Sequence, residues 1–289
     1  MYGGPFLSLD SKLKKLIIDT VGCLLRISVM AGDRKVIGTR NREIGNESLP
    51  DFTGEPYLTM LSRLHSGLRP KAYFEIGTET GKSLALARCA SLAVDPKFKL
   101  GSGRLISNKP LCALYQVSSD DFFAVVDPTV VLTRRIDFAF LDGMHLCEFL
   151  LRDFLNTERF CCRNSVIALH DCLPLDLVMA ERVWPSSDRQ SLSRQGWWTG
   201  DVWRCALLLK RRRPDLGITA LDAPPTGLVL ITNLDPSSTF LRDHYASLVE
   251  EMHALSLSDL TLAGMHAELK VEPTSAFSRF EQIARRFWF

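Results

Sequence analysis

Two short stretches, FLDGMH (140–145) and LHDC (169–172), each set an aspartate close to a histidine. Asp142 and His145 are three residues apart, about one helical turn, and His170 and Asp171 are neighbours. Carboxylates hold hard cations such as Mg²⁺ through oxygen. Imidazole suits softer ions such as Mn²⁺, Fe²⁺ or Zn²⁺. A histidine also titrates near neutral pH and can take a proton from a hydroxyl. Asp142, His170 and Asp171 are therefore candidate metal ligands, and His145 with Asp142 a candidate proton-transfer pair. Four titratable groups brought together exceed what passive binding requires.

These residues need elements that bring them to one place. From residue 71 the sequence alternates short apolar runs with helical stretches. AYFEIG, SLAVDP, LCALYQVS, IDFAFLDG and SVIALHDC read as five strands, and GKSLALARCA, LCEFLLRDFLNTERF and GDVWRCALLLKRR as helices. That alternation implies a mostly parallel sheet covered on both faces. ITALDA and TGLVLITNL are separated only by PP, too short a gap for a crossover helix, so they form an antiparallel hairpin. Open parallel sheets bind ligands at the carboxyl ends of their strands. Each of the five parallel strands ends in acid: Glu75, Asp95, Asp120 and Asp121, Asp142, and Asp171. Such a rim repels polyphosphate. It suits a ligand with a positive centre and with hydroxyls for carboxylates to grip.

The turn after the first strand, GTETGKS (77–83), looks like an ATPase phosphate loop, which has four residues between its glycines. Here Gly77 and Gly81 enclose three, and one of them is the carboxylate Glu79. The missing donor and the added charge both count against ATP.

E-x-G-x-x-x-G after the first strand, an acid ending the second, Ser-Asp after the third and Asp ending the fourth resemble class I S-adenosylmethionine-dependent methyltransferases. The resemblance covers about residues 70–235. FLDGMH and LHDCLP are similar to the group of metal-dependent O-methyltransferases that act on catechols and antibiotic sugars. The resemblance implies an α/β, Rossmann-like, seven-stranded sheet whose last strand is inserted antiparallel. It also implies S-adenosylmethionine as cofactor, and a hydroxyl of a small acceptor, with a sugar or glycan precursor first, as the methyl's destination. By resemblance, Glu75, Gly77, Thr78, Gly81 and Ser83 form the turn at the methionine end. A helix from Lys82 would offer N–H groups to the methionine carboxylate. Asp95 would hold the ribose hydroxyls, Ser119 and Asp120 the adenine, and Asp142 would border the cofactor. His145 matches the base of the sugar enzymes. Two departures stand out: Glu79 replaces the family's middle glycine, and KFKLGSGRLISNKP replaces a full helix. Methyl transfer to nitrogen, or binding without turnover, are the alternatives.

The 289 residues are 46% hydrophobic and 24% charged with a net charge of +2, an ordinary globular balance that favours neither nucleic acid nor membrane as partner. The eight cysteines include no C-x-x-C pair, and no secretory signal opens the chain, so a reduced, cytoplasmic protein is expected. RRR at 211–213 reads as the solvated end of a helix. The remaining expectations are a helical cap over 1–68, a core over 69–235 and a helical extension over 236–289. The cap includes a helix near 13–24, a hairpin over 27–38 and a helix over 55–68. Residues 185–200 read as a loop over the site, with Trp197, Trp198 and Trp203 shaping an acceptor pocket. The expected partner is a small hydroxylated acceptor, with self-association left open.

Overall fold

A central strand buried on both faces needs apolar side chains on both, and Ala72–Ile76 (β1, AYFEI) is buried at every position. In the computed structural model, which describes residues 47–101 and 107–287, β1 lies between β2 (Ala90–Val94) and β4 (Ile136–Leu141), parallel to both. β3 (Cys112–Tyr115) pairs with β2, and β5 (Cys161–His170) with β4, again in parallel. β6 (Gly217–Leu221) and β7 (Leu228–Thr232) form the expected antiparallel hairpin. β7 slots between β5 and β6 and runs against both, giving the order β3-β2-β1-β4-β5-β7-β6. The seven-stranded, mostly parallel sheet expected from the sequence is the one observed.

Helices cover both faces. One face carries α1 (Tyr57–Leu68), through Met60, Leu61 and Leu64, and the C-terminal helix running to Phe287, through Ile283. The other carries α2 (Ser119–Val125), α3 (Pro128–Leu132), α4 (Cys147–Glu158) and α5 (Trp203–Arg212). α6 (Phe240–Asp243), α7 (Tyr245–Ala254), α8 (Leu257–Leu260) and α9 (Leu262–Leu269) join this second layer, and α10 (Phe280–Phe287) is the C-terminal helix of the first. Helices thus make up most of residues 240–287. The expected helix near 13–24 and hairpin over 27–38 lie outside the described residues.

One expected helix is absent. GKSLALARCA folds as a loop with a single 3-10 turn, Leu84–Leu86, before β2 begins. Leu84 and Ala87 instead pack under α1 and α10 in the first layer. The ammonium of Lys109 takes the carbonyls of Leu84 and Ala87, the former at 2.8 Å, so these backbone acceptors are satisfied without a continuing helix. The helix N-terminus expected for the methionine carboxylate is therefore not formed. β5 starts at Cys161, earlier than SVIALHDC suggests, and its pairing with β4 shifts register between Ile136 and Phe138. No helix of the described residues is long and apolar enough to cross a membrane.

Candidate active site

The carboxyl ends of β1, β2, β4 and β5 open into a cavity of about 640 Å³. Gly77, Asp95, Ser119, Asp120, Asp142, His145, His170 and Asp171 reach its wall, as the sequence suggests. Glu75, Thr78, Gly81 and Ser83 stand behind the wall rather than on it.

The glycine turn is shaped by crowding against the neighbouring strand. Gly77 has φ +82°, and a Cβ there would lie 1.8 Å from the Asp142 carbonyl oxygen. The glycine thus lets the turn pass the end of β4. Two residues on, Glu79 adopts φ 44°, the left-handed region that glycine enters freely. Holding a side chain in this region costs about 1–2 kcal/mol. Asp95 holds the strained residue, accepting from the Glu79 amide at 2.7 Å and the Lys97 amide at 2.6 Å.

Beneath the turn, Glu75 is fully buried and accepts a bond from the Tyr73 hydroxyl. Burial pushes its carboxyl up to about 7, against the pull of the Tyr73, Thr78 and Ser83 hydroxyls. Neither of the last two closes a well-formed bond to Oε1. On the β3 side, Ser118 caps α2, and Asp120 forms a two-pronged pair with Arg152 at 2.8 and 2.7 Å. Asp153 of α4 was not singled out from the sequence, yet it is buried at this wall. Burial lifts its carboxyl to about 7, opposed by the Ser119 hydroxyl beside it.

Across the cavity, four side chains converge. His145 Nε2 lies 3.1 Å from Asp171 Oδ2 and 3.5 Å from Asp142 Oδ1. His170 Nδ1 lies 3.2 and 3.3 Å from the same two oxygens, out of line for a hydrogen bond to either. Asp142, His170 and Asp171 can offer ligand atoms all within 4.8 Å of one another. Burial pulls both imidazoles down, but the Asp171 and Asp142 carboxylates outweigh it, lifting His145 to about 9 and His170 to about 10. Burial alone would raise Asp142, but the two imidazoles, His170 foremost, bring it well below the usual carboxylate range.

The surroundings fix this arrangement. His145 Nδ1 is 2.8 Å from the Trp198 carbonyl, which can only accept, so Nδ1 carries hydrogen and Nε2 faces the carboxylates. The His145 ring also stacks on Trp198 at 4.9 Å. Gly200 makes the approach possible, since a Cβ there would meet the His145 carbonyl oxygen at 1.8 Å. The next residue, Asp201, accepts from the Cys147 amide at 2.9 Å and so ties down the start of α4. Asp171 sits at φ 57° and its carboxylate accepts from the Thr226 hydroxyl. A strained residue held this firmly at a cavity is a common sign of function.

Two aromatic wall residues, Tyr57 and Trp184, also carried no signal that sequence reading used. Tyr57 comes from α1, far upstream; its ring lies 4.1 Å from that of His170. Burial, then the charges of Asp142 and Asp171, hold its phenol well above the usual range. Trp184 packs on Trp198 at 5.3 Å. With Trp197 and Trp198 it forms the aromatic wall expected of residues 185–200. Trp203 is not part of that wall: it is 1% exposed, in the core where α5 meets the sheet. Its place on the buried face of α5, at the helix's first residue, is the reason.

No protein-family profile matches the chain, and no curated protein matches it. Similar solved structures include the O-methyltransferase TomG of Streptomyces achromogenes in complex with SAM. It is 18% identical over 65% of this chain and 84% of that one, with a TM-score of 0.46. An O-methyltransferase of Bacillus cereus in complex with SAH is 14% identical over 65% and 84%, with a TM-score of 0.41. The SAH-bound methyltransferase PaMTH1 of Podospora anserina is 12% identical over 80% and 100%, with a TM-score of 0.41. Similarity at this level assigns no function; any assignment has to rest on the site.

Proposed function

We propose that the protein transfers a methyl group from S-adenosylmethionine to a hydroxyl of a small acceptor. The observation that carries this reading is the convergence of Asp142, His145, His170 and Asp171 in a cavity that reaches the glycine turn and Asp95. The cavity is of a size that takes a small-molecule cofactor. Its acidic lining suits a sulfonium cation and ribose hydroxyls. Asp95 retains lone pairs for those hydroxyls beyond its two amide bonds, since a carboxylate has about four acceptor sites. With no helix after the turn, no helix N-terminus is offered to the methionine carboxylate, and the Glu79 and Gly81 amides are already given to Asp95 and to the Thr78 carbonyl.

The cluster also fits a divalent ion. Asp142 and Asp171 bring two carboxylates together beside two imidazoles, and added positive charge, as imidazolium protons or as a cation, relieves their repulsion. Asp142, Asp171 and His170 would hold the ion, and the imidazole favours Mn²⁺, Fe²⁺ or Zn²⁺ over Mg²⁺. The Thr226 hydroxyl on Asp171 is the kind of outer contact such a ligand uses. When bound, the ion would polarise the acceptor hydroxyl.

The chain's own groups do the rest. His145, held by Trp198, is placed to receive the hydroxyl proton at Nε2 once that nitrogen is free. Asp142 and Asp171 stabilise the imidazolium that results. Trp184, Trp197 and Trp198 offer flat apolar faces, and the nearby acids accept from hydroxyls, a combination that favours a sugar or glycan precursor as acceptor.

Calorimetry tests the cofactor. S-adenosylhomocysteine is expected to bind in the micromolar range, about −8 kcal/mol, with ATP failing to compete. Chelation with EDTA should abolish transfer and leave this binding nearly unchanged. ATP binding in the absence of any adenosylhomocysteine binding refutes the reading; full activity after EDTA removes the metal from it.

A further inference from the structure

The opposite end of β1 holds a second cavity, of about 480 Å³, lined by Ser62, His65, Ser66, Arg69, Arg88 and neighbouring apolar residues. It shares no wall residue with the candidate active site. We propose that it binds the phosphoryl group of a small phosphate monoester.

Two observations support this, and a third limits the donors. Arg69 and Arg88 are exposed at the cavity, and among the described residues neither guanidinium has a carboxylate partner. No acidic residue lines the wall, so their charge is uncompensated there. Second, His65 is 8% exposed and neither ring nitrogen has a hydrogen-bond partner. Its ring packs edge-on against Tyr73 at 4.8 Å and Phe138 at 5.0 Å and lines the cavity. Burial, and then the charge of Lys109, pull the imidazole down to about 3, so it is neutral and carries one N–H. A buried N–H with no acceptor is costly, and an anionic oxygen in the cavity would relieve it. Third, Lys109 is not available for the ligand, because its ammonium is held by the carbonyls of Leu84 and Ala87.

The donor count indicates the ligand. Two guanidinium forks, the Ser62 hydroxyl and one imidazole N–H exceed what the two oxygens of a carboxylate use, and match the three terminal oxygens of a phosphate. Ser66 adds a hydroxyl that now donates to the Ser62 carbonyl at 2.9 Å. The cavity is larger than a bare phosphate needs and lies within the range of small-molecule pockets. Pro70, Ala85 and Leu86 give the rest of the ligand an apolar edge.

The test is calorimetry and histidine-ring NMR on the full chain, with glycerol 3-phosphate and inorganic phosphate as probes and chloride at matched ionic strength as control. Glycerol 3-phosphate is expected to bind one to one, and binding should move the His65 ring resonances. The double variant Arg69→Gln/Arg88→Gln changes only exposed side chains and should weaken binding by about a hundredfold. Tighter binding of the monoester than of phosphate assigns the site to a phosphorylated metabolite; equal affinity keeps the phosphoryl chemistry and assigns it to the free ion. Binding no stronger than chloride, or unchanged in the double variant, overturns the proposal.

Discussion

On the β1–β3 side of the main cavity, the carboxylates already have partners. Asp95 takes two backbone amides, Asp120 is paired with Arg152, and Glu75 takes the Tyr73 hydroxyl. On the β4–β5 side, two imidazoles and two carboxylates crowd together with poor hydrogen-bond geometry. The first side is finished by the protein itself and acts through shape. The second gains most from something added, whether a proton, a metal ion or a substrate hydroxyl. Substitutions should therefore behave differently on the two sides. On the β4–β5 side they should lower the rate of the chemical step; on the β1–β3 side they should change affinity and stability.

The largest effect is expected at His145. A general base typically contributes ~10²–10⁴-fold to rate. His145→Gln keeps a donor for the Trp198 carbonyl but cannot take a proton. Its kcat should fall by about that factor while adenosylhomocysteine affinity holds. If steady-state kinetics with saturating acceptor return a near-normal kcat, proton transfer lies elsewhere and the contrast between the two sides weakens.

At Asp95 a smaller and different effect is expected. Asp95→Ala removes the acceptor proposed for ribose hydroxyls and frees the Glu79 and Lys97 amides. Loss of charge-assisted bonds costs about 1.5–3 kcal/mol in cofactor affinity. The strained Glu79 should also loosen, lowering the melting temperature without ligand. Unchanged affinity with lowered stability would show that Asp95 only builds the turn.

Reading the strand ends in order picked out most of the acids that line this cavity. Asp95, Asp142 and Asp171 follow apolar runs, and the parallel sheet must bring such ends to one edge. The antiparallel hairpin was legible from the short Pro-Pro gap. Tyr57 was not legible, because its place beside His170 depends on how α1 docks on the far face of the sheet. Nor was the loss of the helix after Gly81. SLALA has helical periodicity, but Lys109 and the docking of α1 decide its conformation, and both act from a distance in sequence. Trp203 was misplaced because an aromatic just after a polar loop looks exposed until the helix that buries it is known.

The smallest effect sharpens the contrast from within the β1–β3 side. Asp153 is the wall carboxyl there whose environment favours the neutral form, its acid lifted by burial to about 7 from an ordinary 3.8. A raised folded-state pKa means the native protein holds the proton more tightly than the unfolded chain. The stability it contributes is complete below about pH 4 and is lost as pH rises through about 7. Asp153→Asn removes this titration while keeping an oxygen for the Ser119 hydroxyl. Glu75, lifted to a similar value, titrates in both proteins and cancels in the difference. The variant should therefore match or fall slightly below wild type at pH 4 and exceed it at pH 8. Chemical denaturation of both proteins at the two pH values measures this directly. A difference that does not grow between pH 4 and pH 8 would mean that Asp153 is ionised in the native state. The β1–β3 wall would then carry another charge, and its acids would attract the sulfonium more strongly than partnered carboxylates can.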